Sequence, residues 1–264
     1  NSLIEHILQS PNAFGENKRF NIVKTSNAIR DELNAIYKNI QKGTNMSICK
    51  RLRELFTEFE LQYNKKSIEQ YKRVSLTHEM NWLDEQQDPY DVASLFDRIF
   101  KFKHTLHTRT TLNKDDSDIS STFMDITINM PDTETYLSSY IPKTRDTFTN
   151  DEGVEYEQIT SYEKSDTGLL LTIKRVDSDL DKVTAKFHPE EHIKLSQGQP
   201  LTLVSIIVHI GSTPKSGHYV CYIKHDNLWY EFDDLKRDFT SIGSFENIKR
   251  NNLILQNLVN LVYV

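Results

Sequence analysis

Cysteine is scarce: the 264 residues include only Cys49 and Cys221. Two thiols make no disulfide framework, which fits a reducing compartment, cytoplasm or nucleus. Long apolar runs are missing too; residues 201–210 are nearly all apolar, but that is the length of a buried strand, not of a bilayer span. Nothing reads as a secretory signal. A basic surplus is also lacking. With 32 Lys and Arg against 38 Asp and Glu, the formal net charge is −6. That argues against a nucleic-acid binder, because neutralising phosphates needs a basic surface. What is present is a chain 37% hydrophobic and 10% aromatic, long enough for one sizeable core.

The first hundred residues read as helical. Ile29, Leu33, Ile36, Tyr37 and Ile40 recur with a 3.6-residue period, with Ser26 as a cap and Gly43 as a stop. A second stripe runs through Ile48, Leu52, Leu55, Phe56 and Phe59, with Cys49 beside it. Asp88-Pro89 opens a third helix, carrying Val92, Leu95, Phe96 and Ile99. After about Lys103 the period changes to that of strands. Residues 123–130, 168–176, 182–187, 201–210 and 258–264 read as strands, and the polar stretch 143–166 as a loop. Helices first, then strands without helices between them, argue α+β with an antiparallel sheet in the C-terminal half.

Two short segments carry the chemistry. Ser216-Gly217-His218-Tyr219-Val220-Cys221-Tyr222 alternates like a half-buried strand, and so does Leu228-Trp229-Tyr230-Glu231-Phe232, which runs into Asp233-Asp234. His225-Asp226-Asn227 between them supplies turn residues. A hairpin folded about Asp226 sets His218 opposite Asp234; a turn centred half a residue earlier sets it opposite Asp233. Either carboxylate would accept the imidazole N–H, fix its tautomer and stabilise the imidazolium. Such a pair activates a nucleophile, yet neither cysteine qualifies. Strand alternation points Cys221 away from His218, and Cys49 resembles a small helix residue.

These boxes resemble the ubiquitin-specific proteases, papain-like cysteine isopeptidases. Ser-Gly-His-Tyr followed by Trp-x-x-Phe-Asp-Asp is similar to that family's histidine box. Gln86-Gln87-Asp88-Pro89-Tyr90-Asp91 resembles its Gln-Gln-Asp-x-x-Glu box, with Asp91 for the usual Glu. Residues 169–176, ending Lys174-Arg175-Val176, resemble its Leu-Lys-Arg-Phe strand. Phe187-His188-Pro189 and Val208-His209-Ile210-Gly211 continue the pattern, so the resemblance covers essentially the whole chain. It implies one catalytic domain, 1–264, with a helical thumb over 1–104 and fingers and palm over 105–264. His218 would be the general base, Asp233 its orienting acid, and Asp234 a group polarising the ring or a water near the oxyanion. Gln87, Asp88, Asp91 and Tyr219 would line the channel for the ubiquitin tail. Gly211, Ser216 and Gly217 would belong to a mobile blocking loop.

The family opens with Asn-Thr-Cys-Tyr-x-Asn-Ser-Leu-Leu-Gln, and this chain begins Asn1-Ser2-Leu3-Ile4-Glu5. The resemblance therefore places the nucleophilic cysteine just upstream of Asn1, and the 264 residues alone should be inert. Many members bind zinc through two Cys-x-x-Cys pairs at the fingertips. Here 105–121 and 155–164 hold no cysteine, and His104 with His107 is no site alone. No metal and no cofactor are expected, with reduced or remodelled fingers. The implied partners are ubiquitin and ubiquitinated proteins, met by a monomer with no nucleic acid and no membrane. Two other readings share the motifs: a ubiquitin-binding pseudoenzyme, and an isopeptidase for another ubiquitin-like modifier. Residues 2–10 also read as a short helix behind a Ser2-x-x-Glu5 capping box.

Overall fold

The computed structural model describes residues 16–41, 49–63, 106–112, 115–123, 125–149, 151–165, 168–214, 216–233, 235–236 and 239–264. The helices expected over 2–10 and from Asp88, together with Gln86, Gln87, Asp88, Asp91 and Asp234, lie outside them. The chain divides into two compact units, Asn1–Phe102 and Lys103–Val264.

In the first unit, α1 spans Glu16–Gln41 and α2 spans Cys49–Tyr63. The second follows its stripe: Leu55, Phe56 and Phe59 are buried and Leu52 half-buried. In α1 the expected start at Ser26 is corrected. The helix begins ten residues earlier, and Ser26 is 1% exposed within it. The reason is periodic. Ser26 continues the same face as Ile29, Leu33 and Ile36, so it sits in the stripe instead of capping it. Thr25 beside it donates to Glu58 at 3.2 Å, tying α1 to α2.

The second unit holds fourteen strands among the described residues. They are β1 Leu106–Leu112, β2 Asp115–Phe123, β3 Asp125–Asn129, β4 Thr135–Tyr136, β5 Lys143–Thr149, β6 Glu155–Ser165 and β7 Leu169–Lys174. After them come β8 Phe187–His188, β9 His192–Ile193, β10 Leu201–Thr213, β11 Ser216–His225, β12 Leu228–Phe232, β13 Thr240–Gly243 and β14 Leu258–Tyr263. The principal sheet has the order β13-β12-β11-β10-β14-β7-β3, with β9 also on β10. It is antiparallel except at β3–β7. Its core face carries Leu169, Leu171, Ile173, Leu203, Ile206, Val208, Val220, Tyr222, Trp229, Leu261 and Tyr263, all buried. The α+β expectation, with an antiparallel-rich sheet in the C-terminal half, holds.

Several local expectations change. The loop foreseen over 143–166 is the β5–β6 hairpin, half of a four-stranded antiparallel sheet ordered β2-β1-β6-β5. β5 and β6 are rich in Thr and charged residues, and among their described side chains Tyr162 alone is buried, so polarity concealed them; Arg145 pairs with Glu157 at 2.9 Å. Residues 182–187 are not one strand: a single bridge joins Val176 to Lys182, and β8 begins at Phe187. Two six-residue helices, α3 Phe245–Arg250 and α4 Asn252–Asn257, interrupt the strands. Each is too short to display a period. Asn251 caps α4, accepting from Leu253 N at 3.0 Å and Ile254 N at 3.4 Å.

Arg175, which follows β7, is 4% exposed in the interior of this unit. Its Nε donates to Leu258 O at 2.6 Å and its Nη2 to Leu255 O at 2.7 Å, so it serves the C-terminal end of α4. Its Nη1 reaches Ala185 O at 2.7 Å and Val183 O at 3.3 Å. Burial pulls the guanidinium down to about 10. Replacing Arg175 by Met strands these carbonyls, each costing about 1–3 kcal/mol when left unpaired in the interior. We predict a large drop in urea-unfolding stability for Arg175→Met. Arg175→Lys should recover little of it, because one ammonium cannot span the three donor directions.

Candidate active site

The site is built on β10, β11 and β12. The β11–β12 hairpin pairs Cys221 with Phe232 and His225 with Leu228, leaving Asp226-Asn227 as a two-residue turn. Both turn residues have left-handed φ, 46° and 64°. That is the type I′ geometry matching the twist of the strands, and Asp and Asn tolerate it. The turn centre lies half a residue later than Asp226, which corrects both registers foreseen. Continued, the ladder would bring Leu235 opposite His218.

Asp233 reaches His218 along a diagonal. The chain leaves β12 after Phe232 and turns, with Lys236 N donating to Asp233 O at 2.9 Å. The Asp233 side chain folds back, its Oδ1 accepting from Leu235 N at 3.0 Å. The same Oδ1 lies 2.7 Å from His218 Nε2. The side chains are 28% exposed for His218 and 11% for Asp233, so the pair is shielded yet reachable. A carboxylate only accepts, so Nε2 is the donor and Nδ1 is the nitrogen placed for proton exchange. The His218 hydrogen bond, then the Leu235 amide, hold the Asp233 carboxyl below its ordinary range.

Strand alternation separates the remaining candidates. His218, Val220 and Tyr222 share one face of β11, while Tyr219 and Cys221 share the other. Burial pushes the Cys221 thiol up, with the Ser205 hydroxyl 3.5 Å away acting the other way. It is a poor nucleophile, and it faces away from His218. Cys49 is the first residue of α2, in the other unit. Tyr219 lies tilted against buried His209, its cross-strand partner, with ring centroids 4.7 Å apart.

Gly211, Ser216 and Gly217, foreseen in a loop, belong to β10 and β11. The two glycines meet a packing demand. A Cβ on Gly217 would lie 2.5 Å from both His209 Nε2 and Ile210 O, and one on Gly211 would strike the Ser216 backbone. Behind them stands Lys182, which no sequence motif marks. Strand β14 begins at Leu258, opposite Val208, so the next carbonyls of β10 lack that neighbour. Lys182 Nζ takes them, donating to His209 O at 2.6 Å, Gly211 O at 2.8 Å and Asn257 Oδ1 at 2.8 Å. Burial, then the charge of Arg175, lower its pKa.

The sequence profile of the ubiquitin carboxyl-terminal hydrolases matches residues 17–244, a span that includes the His218–Asp233 pair. The chain belongs to the ubiquitin carboxyl-terminal hydrolase family. Human ubiquitin carboxyl-terminal hydrolase 35 is 26% identical over 118 residues, which is 35% of this chain and 12% of that protein. Human ubiquitin carboxyl-terminal hydrolase 26 is 32% identical over 59 residues, 22% of this chain and 6% of that protein. The matches thus span a small part of those relatives' lengths. A solved structure of the yeast SAGA DUBm has a TM-score of 0.50 at 16% identity, covering 92% of this chain and 65% of that one. That likeness concerns the fold alone. Among the described residues, no group of three or more His, Cys, Asp and Glu could hold a metal, and no helix is long and apolar enough to cross a membrane.

Gly217→Ala should destabilise the domain by about 1–3 kcal/mol, since the methyl has no space without backbone movement. Chemical denaturation would measure it. An unchanged midpoint would mean that the β10–β11 approach is not tight.

Proposed function

We propose that this chain forms most of the catalytic domain of a thiol-dependent deubiquitinase, acting on the isopeptide or peptide bond after the C-terminal glycine of ubiquitin. The observation that carries the reading is the 2.7 Å contact of His218 Nε2 with Asp233, in a chain of the ubiquitin carboxyl-terminal hydrolase family. The nucleophile is a cysteine preceding Asn1 in the full-length protein. Support for this comes from the orientation of Cys221 and from the likeness of Asn1-Ser2-Leu3 to the family's opening box.

The chemistry then needs few parts. Nδ1 of His218 takes the thiol proton, and Asp233 stabilises the imidazolium that forms. The thiolate attacks the carbonyl carbon, and the departing amine takes the proton back from Nδ1. A thioester remains. Water hydrolyses it as Nδ1 again accepts a proton, and the expelled thiolate is restored. Gln87, Asp88 and Asp91 engage the extended tail, Tyr219 stands beside it, and Asp234 polarises the ring or a nearby water. Gly211, Ser216 and Gly217 shape the channel edge. The acidic net charge suits a tail that carries arginines. The 264 residues alone are inert for want of the thiol, act as a monomer, and belong in the cytoplasm or nucleus.

Steady-state cleavage of a ubiquitin C-terminal amide by the full-length protein tests this. His218→Ala should lower kcat/KM by about a thousandfold or more, and Asp233→Asn by about ten- to a thousandfold. Near-normal turnover in His218→Ala would refute the assignment of the base.

A further inference from the structure

Asp233 has two carboxylate oxygens, and His218 uses one. Oδ1 serves His218 Nε2 and Leu235 N. Oδ2 faces the ammonium of Lys236 at 3.8 Å. That ammonium is itself anchored on Oε1 of Glu231. The other oxygen of Glu231 accepts from the phenol of Tyr222 at 2.8 Å. Tyr222 is fully buried, and Glu231 is its cross-strand partner. A continuous polar path therefore runs from the core of the sheet to the oxygen of Asp233 that His218 leaves unused.

Lone surface ion pairs contribute little. This one is better placed, because both acids are covered: the side chains of Glu231 and Asp233 are 13% and 11% exposed, against 50% for Lys236. A carboxylate turns readily about its last torsion, so an acid held by one oxygen alone would lose its aim. We propose that Lys236, seated by Glu231 and through it by Tyr222, is a positioning residue for the His218–Asp233 pair, fixing the carboxylate so that Oδ1 stays directed at Nε2. The assignment deepens the hydrolase reading of that pair and rests on it.

Lys236 also adds charge. Its ammonium joins the His218 hydrogen bond, the Leu235 amide and the His218 charge in holding the Asp233 carboxyl low. Among the described residues, the other titratable groups facing this network are Tyr222 on β11 and Glu231 on β12. The sign follows. As pH falls through the lowered Asp233 value, the carboxylate takes a proton and the bond to Nε2 weakens. Without Lys236 that loss should come at higher pH.

The test follows the His218 Nε2 proton by NMR in the 264-residue chain, labelled with ¹⁵N-histidine and assigned by its absence in His218→Gln. Lys236→Met should lose this resonance about half a pH unit higher than wild type. Lys236→Arg should track wild type, and Glu231→Gln and Tyr222→Phe should move part of the way. If Lys236→Met and wild type superimpose, Lys236 is only a solvated cation and the proposal falls. In the full-length protein, Lys236→Met should lower kcat about two- to fivefold with KM unchanged; a change confined to KM would also overturn it. Absence of all turnover in the wild type would defeat the hydrolase reading, while the proton titration would still decide the role of Lys236.

Discussion

One hydrogen bond, between residues fifteen positions apart, organises what this molecule can do. His218 Nε2 donates to Asp233 across the open end of a hairpin, and each surrounding feature bears on its geometry. The Asp226-Asn227 turn sets the register, and that register alone would have placed Leu235, not an acid, opposite the histidine. The bond exists because β12 stops at Phe232 and the chain turns tightly enough to fold Asp233 back. Leu235 N and Lys236 then hold the acid in that turned position.

Behind the pair, two cations replace absent backbone partners. Arg175 takes carbonyls at the C-terminal end of α4, and Lys182 takes those of β10 beyond the last pairing with β14. Neither relies on a carboxylate. Both bind oxygen atoms that would otherwise be unpaired in the interior, which offsets the desolvation of their charge. Gly211 and Gly217 act on the same sheet by omission, letting β10 and β11 approach where a methyl would collide. The histidine is thus held from its own strand, from the strand beside it and from the loop that carries Lys182.

Much of this was legible in the sequence, for definite reasons. The β10, β11, β12 and β14 segments alternate or run apolar because they are half or wholly buried, so their period shows. The α+β order and the His218–acid pairing followed from that pattern and from the histidine box. What escaped has equally physical causes. The β5–β6 hairpin is polar on most positions, and α3 and α4 are too short for a period. Ser26 read as a cap, although it occupies the buried stripe of α1. In the nearer of the two registers foreseen, the turn's centre was missed by half a residue and the pairing by one, because Asp226 and Asn227 both adopt left-handed φ, a property that composition suggests without fixing the turn's centre. Lys182 and Lys236 act through contacts distant in sequence or across a turn, which no local pattern encodes.

The most direct measurement is the intact mass of the full-length protein after exposure to ubiquitin bearing a C-terminal electrophile, with His218→Ala treated alongside. The account predicts one ubiquitin adduct per protein, on a cysteine preceding Asn1, forming much more slowly in the variant. No adduct, an adduct on Cys49 or Cys221, or equal rates in the two proteins would contradict it.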